Sequence, residues 1–155
     1  MLQRIQTVYL LIITALMVSV LFLPLASIQV ADTFYTFDAT GISAVSTQTE
    51  LVYPIWALFA LTSVIALIAL ITIFLYKKRV LQIRLSIFNG ILMVGFYALF
   101  AFFVYNLKGI MKAEDVDVTF KIALSFPLIS LILDYLAIRN IGADEMLVRS
   151  LNRLR

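Results

Sequence analysis

The chain has 155 residues, 63% of them hydrophobic and 14% charged, with a formal net charge of +3. That charged fraction is well below the roughly 25% of soluble domains, so water is not the solvent of most of the chain. Neither Cys nor His occurs, which excludes thiol nucleophiles, disulfides, Cys/His zinc sites, imidazole bases, His-ligated haem and lipidation through a thiol.

The apolar residues fall into blocks of about 20, the length that crosses a bilayer core as a helix. The first spans 5–28 behind Arg4. It is too long for the 7 to 15 apolar residues of a signal core and is read as a membrane helix. Residues 29–52 form an outer loop, within which Ile28 to Phe37 is rich in β-branched and aromatic residues around Ala31-Asp32 before Gly41 breaks the pattern. A small β-hairpin over the outer helix ends is expected there.

The second span, 53–76, opens on Pro54, taken as a first-turn proline whose missing N–H does no harm. A loop at 77–84 leads to the third span, 85–105, and a second outer loop, 106–119, leads to the fourth, 120–138. Pro127 inside that last span predicts a bend. In the tail, 139–155, Gly142 predicts a break and Asp144 a cap. Leu147, Val148, Leu151 and Leu154 recur at helical spacing, so a separate short amphipathic helix is expected over 144–154. The predicted fold is an all-α membrane protein, four transmembrane helices in one antiparallel bundle.

Orientation follows from the short flanks, since basic loops stay cytoplasmic. Arg4, Lys77, Lys78, Arg79, Arg84, Arg139, Arg149, Arg153 and Arg155 lie on one side; only Lys108, Lys112 and Lys121 lie on the other. Both termini are therefore expected in the cytoplasm. Tyr53, Trp56 and Tyr105 at one boundary and Tyr76 and Tyr135 at the other read as interfacial belt residues.

Asp134 is the one carboxylate within a span, about one turn from its cytoplasmic end and so roughly 6 Å deep. Intramembrane ionisable groups are functional candidates by default. Arg139 is five residues on, about 140° around the helix, and cannot face it. Partners must come from neighbouring helices, where Arg4, Gln6, Arg84, Ser86 and Asn89 lie at similar depth. The pattern favours a structural polar latch of Arg4, Gln6, Arg84, Asn89 and Asp134 over a substrate or proton site. Lys77, Lys78, Arg79, Arg139, Arg149, Arg153 and Arg155 form a second set, suited to anionic lipid or to an acidic partner by charge attraction.

The two ends carry a family resemblance. Met1-Leu2-Gln3-Arg4-Ile5-Gln6-Thr7-Val8-Tyr9-Leu10 and Asp144-Glu145-Met146-Leu147-Val148-Arg149-Ser150-Leu151-Asn152-Arg153-Leu154-Arg155 resemble the domain-of-unknown-function 4293 family of small four-span proteins. Between the ends the match is one of length and hydropathy, and Asn152 makes the tail slightly more basic where an Asp is the family alternative. The resemblance implies an inner membrane of Bacteroidetes-type bacteria and a compact four-helix domain, and it brings no catalytic or binding residue with it.

No phosphate loop, nucleophile elbow or paired catalytic carboxylates appear. The leading expectation is a non-enzymatic accessory or structural subunit of a larger inner-membrane complex. Its partners would be membrane lipids and membrane proteins, with a secretory translocon or ribosome among the candidates; no DNA, metal or cofactor is expected. A small transporter or channel component using Asp134, and a lipid-modifying enzyme, are the competing expectations.

Overall fold

The computed structural model describes residues 2–30, 33–45, 51–76, 78–107, 109 and 116–153. Helix α1, Leu2–Phe22, ends just before Pro24. A proline cannot continue the helical ladder and pushes the residue before it toward extended backbone. The chain then turns directly into strand β1, Ala26–Val30. Ala26 to Ile28 are thus strand and not the end of the first span.

Strand β2, Thr33–Phe37, pairs antiparallel with β1 from Ala26 opposite Phe37 to Val30 opposite Thr33. The expected hairpin register is present, with its 31–32 connection outside the described residues. The pairing does not stop there. Strand β3, Gly41–Ala44, and strand β4, Leu51–Pro54, continue the meander, and β5, Asp117–Phe120, joins from the second connection to give the order β4-β3-β2-β1-β5. The fold is therefore mixed, four long helices plus a five-stranded antiparallel sheet, and the all-α expectation is corrected. Short strands of alternating burial carry little hydropathy signal beside spans of 20 apolar residues, and β5 pairs with a segment some 90 residues earlier, which no local pattern reveals.

Three boundaries shift for physical reasons. Pro54 ends edge strand β4, where a residue without an N–H is tolerated, and helix α2 runs Trp56–Phe74. Helix α3 starts at Arg79 and runs 27 residues to Tyr105. A single 3₁₀ turn, Ile122–Ser125, precedes helix α4, Phe126–Arg153, so Pro127 sits in the first turn and bends nothing. The tail is not a separate helix. α4 continues through Gly142 and Asp144 for 28 residues; one interior glycine costs only about 1 kcal/mol, and Ile141 beside it is fully buried.

α1 packs on α2 and α4, and α3 packs on the same two. By length and composition all four are apolar enough to cross a membrane. Their polarity is inverted relative to a water-soluble protein. Exposed positions carry Leu11, Leu67, Ile91, Val94 and Ile132, whereas Gln6, Thr62, Gln82, Ser86, Asn89, Ser130 and Asp134 are buried. Such continuous apolar exposure suits a hydrocarbon solvent.

The sheet closes one end of the helices. Ala26 and Ile28 of β1, Phe37 of β2 and Ile42 of β3 are fully buried in the same cluster as Leu10, Met17 and Phe96 of the helices. Phe100 of α3 stacks on Phe37 at 5.1 Å between ring centroids and 14° between planes, and approaches Phe120 of β5 at 6.2 Å. The Tyr97 hydroxyl donates to the Leu124 carbonyl at 2.7 Å, holding the 3₁₀ turn against α3.

Between β2 and β3, the Asp38 N–H donates to the Gly41 carbonyl at 2.9 Å. Gly41 has φ +151°, and a Cβ there would run into the Tyr53 carbonyl and the Pro54 backbone. Gly41→Ala is expected to separate β3 from β4 at a cost of at least ~1 kcal/mol, read as a lower melting temperature in detergent; an unchanged melt would show that the β3–β4 edge does not contribute.

Asp38 Oδ1 is buried without a partner, and burial pushes the carboxyl above its ordinary 3.8. The neutral form is thereby favoured on folding, so stability is greatest on the acid side and falls as pH rises from 3.8 toward the raised value. Asp38→Asn should remove that slope and melt higher than the parent at neutral pH. Parallel melting curves for the two proteins across that range would contradict it.

Candidate functional site

The buried faces of the helices divide into two halves. On α3 the buried stripe reads Gln82, Ser86, Asn89, Met93, Phe96, Phe100, polar at the end far from the sheet and apolar toward it. On α1 Gln6 at the far end is followed by Leu10, Ile13, Met17 and Val20, all buried. On α4 Asp134 and Ser130 lie on one face, four residues apart. Spacings of three and four put each set on a single face, so on α1 and α3 the polar groups gather in the half far from the sheet, while Thr62 of α2 and Ser130 of α4 are buried nearer to it.

That gathering leaves them unpaired. Thr62 and Thr72 of α2 satisfy their hydroxyls within their own helix, donating at 2.7 Å to the Leu58 and Ile68 carbonyls. By contrast, Gln6 Nε2, Ser86 Oγ, both side-chain polar atoms of Asn89, Ser130 Oγ and Asp134 Oδ1 are buried with no hydrogen-bond partner. Ser86 is the polar side chain that faces the Asp134 carboxyl, yet the two do not close to a hydrogen bond. Buried polar groups in proteins are nearly always paired, and an unpaired one costs on the order of 1–3 kcal/mol.

Asp134 is 2% exposed. Its Oδ2 lies beside Gly90 of α3, 3.4 Å from where a Cβ would stand. Together these two residues form the floor of a groove of about 280 Å³ between α3 and α4, walled by Ile87, Ile91, Leu131, Tyr135 and Ile138. Ile91 and Tyr135 are among the exposed apolar residues, so the groove opens on the exposed apolar surface of the helices. Glycine at position 90 is what leaves the carboxyl reachable.

Of the expected latch residues, Gln6, Asn89 and Asp134 are buried, as is Ser86, and each has a side-chain polar atom with no hydrogen-bond partner. Arg84 is exposed and lines a different feature, and the Arg4 side chain lies outside the described residues. Ser130, one turn before Asp134 on the same face of α4, also carries an orphaned hydroxyl, and its i−4 spacing from Asp134 is the signal the sequence offers for it.

The basic residues divide likewise. Lys78, Arg79 and Arg84 meet in a cleft of about 640 Å³ between the start of α3 and the tail of α4, with Val80, Leu81, Glu145 and Val148. Arg79 pairs there with Asp144 at 3.4 Å, its other nitrogen also 3.4 Å from the Asp144 carbonyl. Asp144, expected as a helix cap, is instead the acid that joins α4 to α3. Arg139 is exposed on α4 outside the cleft. Lys77 and Arg155 lie outside the described residues, as do the side chains of Arg149 and Arg153.

The curated proteins contain no match to this chain. The family profile described as domain of unknown function (DUF4293) matches residues 2–154, nearly the whole length, as the terminal motifs implied. The chain belongs to the DUF4293 family.

Proposed function

We propose that the protein is a non-enzymatic accessory subunit of a larger inner-membrane complex, joined to it by a partner's transmembrane helix lying in the groove between α3 and α4. The observation that carries this reading is Asp134, whose buried Oδ1 has no hydrogen-bond partner, at the floor of an apolar groove. An Asp at the bilayer centre costs on the order of 2.5–3.5 kcal/mol on insertion scales, and less toward the interface. A basic side chain from an adjoining helix offsets that cost, and the missing side chain at Gly90 leaves room for close approach. The walls, Ile87 to Ile91 on α3 and Leu131 to Ile138 on α4, run along the helix axes and match one face of a helix.

In this reading the basic far end lies in the cytoplasm and the sheet outside, on the ratio of nine basic residues to three. A basic cytoplasmic face accords with partners such as secretion or membrane-insertion machinery. A second reading, a small transporter or channel component, draws on the other orphaned polar atoms, Gln6, Ser86, Asn89 and Ser130, which would line a hydrated path past Asp134.

Affinity purification in mild detergent separates these readings. Gly90→Leu, which fills the groove and covers the Asp134 carboxyl, since a Cβ there stands 3.4 Å from Oδ2, should lower the yield of a membrane partner roughly ten-fold, equivalent to ~1.4 kcal/mol. Asp134→Leu should do the same and Asp134→Asn less, since the amide keeps hydrogen bonds. Identical co-purifying proteins in all variants would sink the subunit reading, and ion flux into proteoliposomes that Asp134→Asn abolishes would support the transporter.

Orientation is tested separately with cysteines at two exposed positions, Thr40→Cys beside the sheet and Lys78→Cys at the far end, against a background without native thiols. A reagent that cannot cross the inner membrane should label only the first in intact cells. Labelling at position 78 alone would reverse the orientation.

A further inference from the structure

We infer that the cleft between the start of α3 and the tail of α4 is a binding site for the phosphate group of an anionic phospholipid. It stands on different residues from the α3/α4 groove and does not depend on the subunit reading; it requires only that the helices cross a membrane.

The cleft is large enough for a headgroup at about 640 Å³. Its cations are unequally engaged. Arg79 is committed to Asp144 at 3.4 Å, with side chains 25% and 17% exposed, and this pair fixes the distance between the two helices that form the walls. Lys78 and Arg84 are exposed and form no ion pair among the described residues, so two cations border a space that Glu145 also lines, with Asp144 held by Arg79. Their ammonium and guanidinium donors suit a phosphate diester, Arg84 by its planar fork and Lys78 as a mobile point charge.

The rest of the lining selects a lipid over a soluble anion. Val80, Leu81 and Val148 are exposed apolar side chains within the same cleft. Leu81 and Arg84 are three residues apart on α3 and share a face, so cation and apolar surface are presented together. At 1.5 Å per residue α3 and α4 are each ~40 Å long, beyond the ~30 Å of a hydrocarbon core, which leaves their first and last turns at headgroup level. A phosphate there meets the cations while its glycerol and first methylenes meet the valines and leucine. A diffuse basic surface would attract anionic lipid without regard to which arginine is present; a formed cleft would not.

Arg139 provides the control, because it is exposed on α4 near the same end and outside the cleft. The full-length protein in mixed micelles of phosphatidylglycerol and phosphatidylcholine is released and weighed intact by native mass spectrometry. Wild type and Arg139→Gln should retain one phosphatidylglycerol in preference to phosphatidylcholine. Lys78→Gln and Arg84→Gln should each lose that preference roughly five-fold, the factor given by ~1 kcal/mol per basic residue near an anionic headgroup. Equal losses for Arg84→Gln and Arg139→Gln would reduce the cleft to diffuse charge and overturn the assignment, as would the absence of any preference in wild type. A melting shift from inorganic phosphate equal to that from phosphatidylglycerol would assign a soluble anion and reject the lipid.

Discussion

Phe100 sits where helices and sheet meet, and its contacts decide how the two parts are related. Its ring lies parallel to Phe37 of β2, stacks at longer range on Phe96 one turn earlier in α3, and reaches Phe120 of β5. Such pairs add about 0.5–1.5 kcal/mol each beyond the area they bury. Their larger effect is positional. Strands from both outer connections are brought onto one helix, so the sheet is a continuation of the helical interior and not a flap over it. The register of β1 with β5, and with it the level at which α4 begins, follows from that seat.

Seated in this way, the helices have interiors of two kinds. Toward the sheet, Met93, Phe96 and Phe100 pack with Met17 and Val20 in a wholly apolar cluster. Farther from it, Gln6, Ser86, Asn89 and Asp134 are buried, with Ser130 one turn nearer the sheet on α4. Packing alone holds the first half rigid. The second half has donors and acceptors without geometry to match them, and it borders the two features that open outward, the groove at Gly90 and the cleft at Arg84. Rigid support and open chemistry thus occupy opposite ends of the same four helices.

The helices were legible in the sequence because a bilayer demands some 20 apolar residues in a row, and that demand leaves a strong local trace. Asp134 was legible as the one acid in such a run. The sheet was legible only as far as its first hairpin, where Ile28 to Phe37 alternates around 31–32. Of strand β5, the sequence places 117–119 in the second outer loop and only Phe120 at the start of the fourth span, because Phe120 and Ile122 extend an apolar run; its strand character comes from β1, not from its own four residues. Pro54 and Pro127 were both misplaced by a few residues, which is enough to turn an edge-strand proline into a helical one and a first-turn proline into a kink. The division of Arg84 from Asp134 could not be seen at all, since depth along a helix is readable from sequence and rotation between helices is not.

The pairing of β1 with β5 also sets an order of events in biogenesis. Ala26 and Phe120 are partners in the finished sheet, yet they leave the ribosome more than 90 residues apart. At roughly 5–20 residues per second, that interval is about 5 to 18 seconds. Throughout it β1 has β2 on one side and an open row of backbone donors and acceptors on the other, the arrangement that invites pairing with a foreign strand. Closure must wait until α2 and α3 have been made and the chain has returned to the sheet side. The fifth strand therefore ends a kinetic interval: one edge of β1 stays open for as long as the two helices between β1 and β5 take to be made.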